Sequence, residues 1–227
     1  MTRAVRSLWA AFWLLTAAHL TALVAGVEAA ERLTKPTLMP VLAAYVLALG
    51  GPRVLAAALL FGCGGDTLLQ IGGDAAFMAG MASFAAGHVC YLVLFVRGGE
   101  RRVGRAVTAV YGAAWLGTVA LLWPDLPTEL RVPVAGYSLL LTGMALGGHR
   151  AGWSTAGGGA LFLLSDTLIA TGIAQWPQPP VPQFWIMLTY VAAQYALAVG
   201  LLGLSGKSEP GGVVEASQPN GEVRTVV

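Results

Sequence analysis

The sequence predicts an all-α membrane protein, a polytopic bundle of about eight transmembrane helices. Hydrophobic residues make up 56% of the 227 residues and charged residues 11%, whereas a soluble domain carries about 25% charged residues. Apolar runs recur along nearly the whole chain, and about 20 apolar residues in a helix cross a bilayer. Lys and Arg are also divided unevenly between alternate loops. The net charge of +2 gives no indication of a nucleic-acid partner.

Glycine, proline and charge clusters separate the apolar runs from one another. The predicted spans are residues 7–27, 36–50, 53–71, 77–96, 105–123, 130–147, 156–174 and 183–204. Pro36 is predicted to mark the start of the second span, because proline fits the first turn of a helix, and Pro40 to kink it. The first run follows Arg3 and Arg6 as a signal peptide would, but its length and the polar His19 favour a retained helix.

The basic residues predict how the bundle is oriented. With the N-terminus inside, the inner segments hold ten of the 13 Lys and Arg residues and the outer segments hold three. This asymmetry predicts that both termini lie in the cytoplasm. We expect an integral protein of a bacterial inner (plasma) membrane. Residues 1–204 are then one transmembrane domain. Residues 205–227 are rich in Gly, Ser, Pro and Glu and are predicted to form a disordered cytoplasmic tail.

Two carboxylates lie inside apolar segments, Asp66 in GGDTLL and Asp166 in LSDTLIA. A charge at mid-membrane costs about 2.5–3.5 kcal/mol on insertion scales, so such residues usually face the bundle interior and serve a function. At a rise of about 1.5 Å per residue, both fall in the middle to outer half of the membrane. His88, Tyr190 and Gln194 fall in the same band, which predicts a polar chamber there.

Two further residues extend the predicted chamber. Lys35 is placed at the outer end of the second span, where a lysine either snorkels to the interface or binds an anion. The anion is a lipid phosphate or one of the aspartates. Tyr137 and Met144 share one face of the sixth span, and they either line the chamber or pack in the core.

The chain also has the features of a tandem repeat. Asp66 and Asp166 lie on the third and seventh spans, each followed by Thr-Leu, and the next spans contain the similar segments SFAAGHVCY and TYVAAQYAL. Two parallel four-helix repeats would be related by an axis along the membrane normal. That symmetry would bring the two aspartates face to face.

Neither cysteine indicates a metal site or a disulfide. Cys63 and Cys90 both lie in apolar runs, without a CxxC motif or a Cys/His cluster. Buried cysteine usually behaves as a small apolar residue. We therefore predict no metal and no cofactor.

Five segments together resemble the YhhN-like family of integral membrane proteins, whose animal members are lysoplasmalogenases. They are TKPTLMP (34–40), GGDTLL (64–69), FMAGMASFAAGHVCY (77–91), ALFLLSDTLIA (160–170) and TYVAAQYAL (189–197). The resemblance covers residues 7–204 and implies eight spans and a lysophospholipid substrate. It implies hydrolysis of a vinyl ether bond, in a lysoplasmalogen or a related lysolipid, to an aldehyde and a glycerophospho-alcohol. The implied site residues are Lys35, Asp66, His88, Asp166, Tyr190 and Gln194. The glycine-rich GCGGD before the first aspartate departs from the family pattern.

The residues suit this chemistry. A vinyl ether is hydrolysed by protonation of its β-carbon, which leaves an oxocarbenium ion for water to capture. Burial and a facing carboxylate keep one acid neutral, and glycosidases divide two carboxyls in the same way. We expect Asp66 and Asp166 to be acid and anion, in an order that stays open. His88 orients water or a carboxylate, Tyr190 and Gln194 bind glycerol, and Lys35 holds the phosphate.

A proton-coupled transporter or channel is the main alternative, because membrane carboxylates with a histidine also suit proton transport. A transporter needs a polar lining toward both faces of the membrane. The inner halves of the spans read PRVLAAALL, VCYLVLFV and ALAVGLLGL, which predicts a closed inner side. The sequence therefore favours an enzyme over a transporter, and a non-catalytic lipid-binding protein is a third possibility.

Overall fold

The computed structural model describes residues 2–205, and these form eight α-helices and no strand. The helices are α1 (Arg3–Ala25), α2 (Glu28–Ala48), α3 (Arg53–Ile71), α4 (Asp74–Gly98), α5 (Arg105–Leu122), α6 (Thr128–Ala151), α7 (Trp153–Ile173) and α8 (Pro182–Ser205). Within this part of the chain, seven helices are long and apolar enough to cross a membrane. The prediction of a polytopic helical membrane bundle is confirmed. The predicted tail lies outside the described residues, apart from Ser205.

The second helix differs from its prediction. It begins at Glu28, about two turns before Pro36, so the prediction that Pro36 marks its start is wrong. The early start is stabilised by acidic residues in the first turn, which suit the positive end of a helix dipole. Lys35 is consequently the eighth residue of α2, about 10 Å along its axis at 1.5 Å per residue, rather than at its outer end.

One of the two prolines inside α2, Pro40, is accommodated by a neighbouring helix. Pro40 has no N–H to donate to the carbonyl of Pro36, and such a loss inside a helix costs about 3 kcal/mol. The Cys63 thiol of α3 donates a hydrogen bond to that carbonyl at 3.2 Å. Cys63 is therefore more than an apolar filler, because it satisfies an acceptor that α2 cannot satisfy itself.

Consecutive helices pack against one another, and α3 with α4 and α7 with α8 make the most extensive contacts. Glycines allow this close approach: a Cβ on Gly80 of α4 would lie 3.2 Å from the Gly65 carbonyl of α3, and one on Gly158 of α7 would lie 3.0 Å from the Ala193 carbonyl of α8. α1 packs on α2 and α8, where the Phe12 and Tyr195 rings stack. In contrast, α5 packs almost entirely against α6.

The predicted tandem repeat matches the packing inside each half but not the packing between the halves. The pairs α2–α3 and α3–α4 correspond to α6–α7 and α7–α8. Between the halves, α4 packs extensively on α6, whereas the equivalent pair, α8 and α2, barely touches. The repeat therefore stays a hypothesis for the ancestry of the fold, and the interface between its halves does not follow a two-fold axis.

The helix order makes a prediction about sidedness. We expect a reporter fused after Lys207 and one inserted in the α5–α6 loop, residues 123–127, to be labelled from opposite sides of the membrane. The reason is that an odd number of spans, α6 to α8, separates the two positions. Accessibility of both reporters to an impermeant reagent in intact cells would contradict this topology.

Candidate functional site

A first chain of polar side chains joins α4, α6 and α7. The Tyr137 hydroxyl donates to Asp166 Oδ2 at 2.5 Å, and His88 Nε2 lies 3.1 Å from the same hydroxyl oxygen. Because the Tyr137 proton is directed to the carboxylate, the hydroxyl accepts from His88, and this places the imidazole proton on Nε2. His88 is 1% exposed, whereas Asp166 is only partly buried.

A second chain joins α4, α8 and α3. The Tyr91 hydroxyl donates to Gln194 Oε1 at 2.5 Å, and Gln194 Nε2 donates to the Tyr190 hydroxyl at 3.2 Å. All three side chains are buried. The Tyr190 hydroxyl in turn lies close to the carboxyl of Asp66. Two of the predicted lipid-binding residues, Tyr190 and Gln194, therefore face Asp66 from α8.

Asp66 is paired with Lys35 across the interface of α2 and α3. Lys35 Nζ lies 3.6 Å from Asp66 Oδ1, and the two side chains are 17% and 6% exposed. The second carboxyl oxygen, Oδ2, is buried without a hydrogen-bond partner among the described residues. Of the two anions predicted for Lys35, the structure pairs it with an aspartate.

The glycine-rich segment before Asp66 has a packing reason. A Cβ on Gly62 would lie 2.7 Å from the Tyr190 hydroxyl and 3.0 Å from Gln194 Nε2. A Cβ on Gly65 would lie 2.5 Å from the Phe84 ring. These glycines let α8 and α4 approach α3 closely enough to place the second polar chain beside Asp66.

Substituting Gly62 with Ala is expected to lower the thermal stability of the protein. Overpacking a tight contact costs about 1–3 kcal/mol, which outweighs the gain of about 1 kcal/mol from replacing glycine in a helix. The matched control is Gly157→Ala on α7, where a Cβ meets nothing within 4 Å. Thermal unfolding in detergent should rank Gly62→Ala below the control, and equal midpoints would remove the packing explanation.

Aromatic rings separate the two polar chains. The Phe162 ring meets those of His88 and Tyr190 edge-on, with centroids 4.8 and 5.4 Å apart. Phe84 packs against Phe162 and Tyr190. The sequence prediction included neither phenylalanine nor Tyr91 as a site residue. Tyr91 lies three positions after His88 on the same helix face, and that spacing was the available signal.

A largely apolar cavity of about 190 Å³ lies between α4, α5, α6 and α7. The cavity exists because α5 is held mainly by α6 and leaves space beside α4. It is lined by the halves of these helices that lie away from the chain termini. Of the predicted residues, Asp166 and Tyr137 line this cavity, and Met144 is core. The other predicted residues are not among those that line it; they are Lys35, Asp66, His88, Tyr190 and Gln194.

The two aspartates are near each other but are bonded to different partners. They are close enough to interact electrostatically, yet Asp66 pairs with Lys35 and Asp166 with Tyr137. Among residues 2–205 no three His, Cys, Asp or Glu side chains cluster as metal ligands do. The arrangement is that of two carboxyls in different electrostatic environments, one of which reaches a cavity.

The comparison with known families decides what this protein belongs to. The model of the YhhN family matches residues 30–201. The chain belongs to the YhhN family. The resemblance drawn from the five sequence segments is thereby confirmed, and the polar residues on α2, α3, α4, α6, α7 and α8 all lie within the matched range.

Relatives of this YhhN-family chain include proteins named lysoplasmalogenase TMEM86B. The pig protein (Sus scrofa) is 34% identical over 147 residues, which are 65% of this chain and 62% of the relative. The human protein (Homo sapiens) is 32% identical over 67% of this chain and 65% of the relative. The rat protein (Rattus norvegicus) is 32% identical over 76% and 72%. The matched region thus spans less than two thirds of the pig and human proteins. No solved structure matches significantly.

Proposed function

We propose that this YhhN-family protein is a membrane-embedded hydrolase that cleaves the vinyl ether bond of a lysoplasmalogen or a related lysolipid. The observation that carries the proposal is Asp166, a carboxyl in the wall of an otherwise apolar cavity among membrane helices. The names of the pig, human and rat relatives support the reaction class. The products are an aldehyde and a glycerophospho-alcohol.

The environments of the two aspartates support a different role for each. Asp66 faces the Lys35 ammonium, and an adjacent cation favours the ionised form of a carboxyl. Asp166 has a phenol partner instead of a cation and faces the cavity. Asp166 is therefore the general acid, and Asp66 is the anion that stabilises positive charge developing nearby.

The reaction balances with these groups and one water molecule. The carboxyl proton of Asp166 moves to the β-carbon of the vinyl ether, and the O–H bond breaks as the C–H bond forms. The double-bond electrons leave an oxocarbenium ion at the α-carbon. Water attacks that carbon and returns its proton to Asp166. The resulting hemiacetal loses the glycerol oxygen with a proton, and the aldehyde is released.

The remaining polar residues position the two carboxyls. Tyr137 accepts a hydrogen bond from His88 and donates one to Asp166, and it so fixes the orientation of this carboxyl in the cavity wall. Tyr190 and Gln194 pack beside Asp66. Lys35 acts on Asp66 instead of on a lipid phosphate, because its ammonium is engaged and does not line the cavity.

A transporter receives less support from this geometry. On the side of the site nearer the chain termini, the bundle is filled by Leu59, Phe95, Met144 and Leu197, each 0% exposed. A transport path needs a polar lining toward both faces of the membrane, and these four side chains are apolar. The geometry therefore favours a lipid-binding active site.

The charge asymmetry of the sequence supports an orientation with both termini in the cytoplasm. The cavity then lies in the half of the bundle that faces away from the cytoplasm. Membrane lipids of the outer leaflet are its neighbours in that orientation, and a lysophospholipid would enter from that leaflet.

The test is a product assay with three lysophosphoethanolamines of equal chain length, joined to glycerol by an alkenyl ether, an alkyl ether or an ester. Purified protein should release an aldehyde from the alkenyl lipid alone, because only the vinyl ether is activated by carbon protonation. Release of a fatty acid from the ester, or no product from the alkenyl lipid in a bilayer, would refute the proposed reaction.

A further inference from the structure

We propose that Arg131 binds the phosphate of the lysolipid and thereby sets how the lipid lies in the cavity. The inference rests on the proposed vinyl ether hydrolysis. It concerns a residue at the start of α6 that the sequence motifs do not include. Arg131 and Asp166 are the two charged residues among those that line the cavity.

The guanidinium of Arg131 is held in place but not neutralised. Its Nε donates to the Leu126 carbonyl and its Nη2 to the Pro124 carbonyl, both at 3.1 Å. A guanidinium has five N–H donors in a planar fork, so three remain available. Within residues 2–205 the ion pairs are Arg32–Glu28 and Lys35–Asp66, and Arg131 has no carboxylate partner. A fixed fork with free donors suits a phosphate.

The spacing of Arg131 and Tyr137 along α6 fits the length of a lysoplasmalogen headgroup. Tyr137, which holds Asp166, lies six residues further along α6, or about 9 Å at 1.5 Å per residue. In the lipid, seven bonds separate phosphorus from the β-carbon of the vinyl ether, the atom that Asp166 protonates. An extended chain advances about 1.2 Å per bond, so this segment spans about 8 Å. A phosphate bound at Arg131 thus places the β-carbon at the level of Tyr137 and Asp166.

The rest of the cavity provides for the hydrocarbon chain. Along α5 the lining runs from Trp123, near Arg131, to Tyr111, a length of about 18 Å. Beyond Asp166 it continues with Leu141, Thr142 and Leu163. The cavity therefore has a cation at the end near the α5–α6 loop, the acid midway and mostly apolar walls beyond. This is the order of phosphate, vinyl ether and alkyl chain in the lipid.

A pair of alkenyl lipids tests the assignment in the purified protein. One is an alkenyl-glycerophosphoethanolamine, and the other is the alkenylglycerol of the same chain, which lacks the phosphate. Arg131→Gln is expected to lower kcat/KM for the phospholipid at least about tenfold, the loss of a charged hydrogen bond, with less than about a twofold change for the alkenylglycerol. Arg131→Lys should retain part of the preference. The matched control is Arg105→Gln, at the exposed far end of α5, which should change neither.

Equal losses on both lipids would overturn the proposal, because they would show that Arg131 only holds the α5–α6 loop through its carbonyl bonds. An unchanged kcat/KM for the phospholipid would overturn it as well. A second measurement needs no variant and no turnover. The alkyl-ether lysophospholipid, which lacks the reactive double bond, should protect Arg131 of the wild type from phenylglyoxal, as read by mass spectrometry. Alkylglycerol should not. Equal protection by both would refute phosphate binding even if the protein hydrolysed no vinyl ether.

Discussion

Replacing Asp166 with Asn is expected to lower turnover of the vinyl ether lipid by a factor of about 10³, within the range that a positioned general acid contributes. Asn preserves the size of the side chain and still accepts the hydrogen bond from Tyr137, but it has no acidic proton for the β-carbon. Asp66→Asn should cause a comparable loss, because it removes a buried anion that interacts electrostatically with Asp166, beside which the cation develops.

The two aspartates act as one unit, so the double variant should be little worse than either single variant. Carbon protonation as the slow step also predicts a normal solvent deuterium isotope effect on kcat. The control is Asp74→Asn, an exposed carboxylate in the first turn of α4, which should leave turnover unchanged. Near wild-type turnover of Asp166→Asn, with an intact elution profile in detergent, would show that Asp166 is structural.

Replacing Lys35 with Met is expected to destabilise the protein more than any other single change considered for this site. The substitution leaves the Asp66 carboxylate buried without a counter-ion, and breaking a buried ion pair from one side costs about 3–5 kcal/mol. The double variant Lys35→Met with Asp66→Asn removes both charges. It should recover most of that stability and still lack activity.

This pattern separates positioning of Asp66 from binding of a lipid phosphate. Unfolding midpoints of wild type, the two single variants and the double variant form a cycle whose coupling energy reports the ion pair. A phosphate anchor would instead raise KM with little loss of kcat or stability. If Lys35→Met is as stable as wild type and only KM rises, the ion pair is not the role of Lys35, and the phosphate site moves from α6 to α2.

Much of this protein was determined by its sequence alone. Lipid replaces water as the solvent for most of the chain, so each span must be a continuous apolar helix. The eight helices follow from the composition and from the glycine, proline and charge clusters that separate the apolar runs. The same cost of burying charge marks Asp66 and Asp166 as functional candidates, because their apolar neighbours in the chain already place them inside the membrane. The start of α2 was predicted wrongly, because its first turns are polar and its prolines indicate a helix start at Pro36.

The tertiary structure alone decided which polar groups meet. The ammonium of Lys35 reaches Asp66 only because α2 begins early and packs on α3. The Cys63 thiol compensates a proline on another helix, and Arg131 reaches the cavity because α5 is held by α6 and leaves a space beside α4. Span assignment depends on local apolarity, which a sequence displays residue by residue. Partner choice depends on the rotation and depth of each helix, which are set by contacts between segments far apart in the chain.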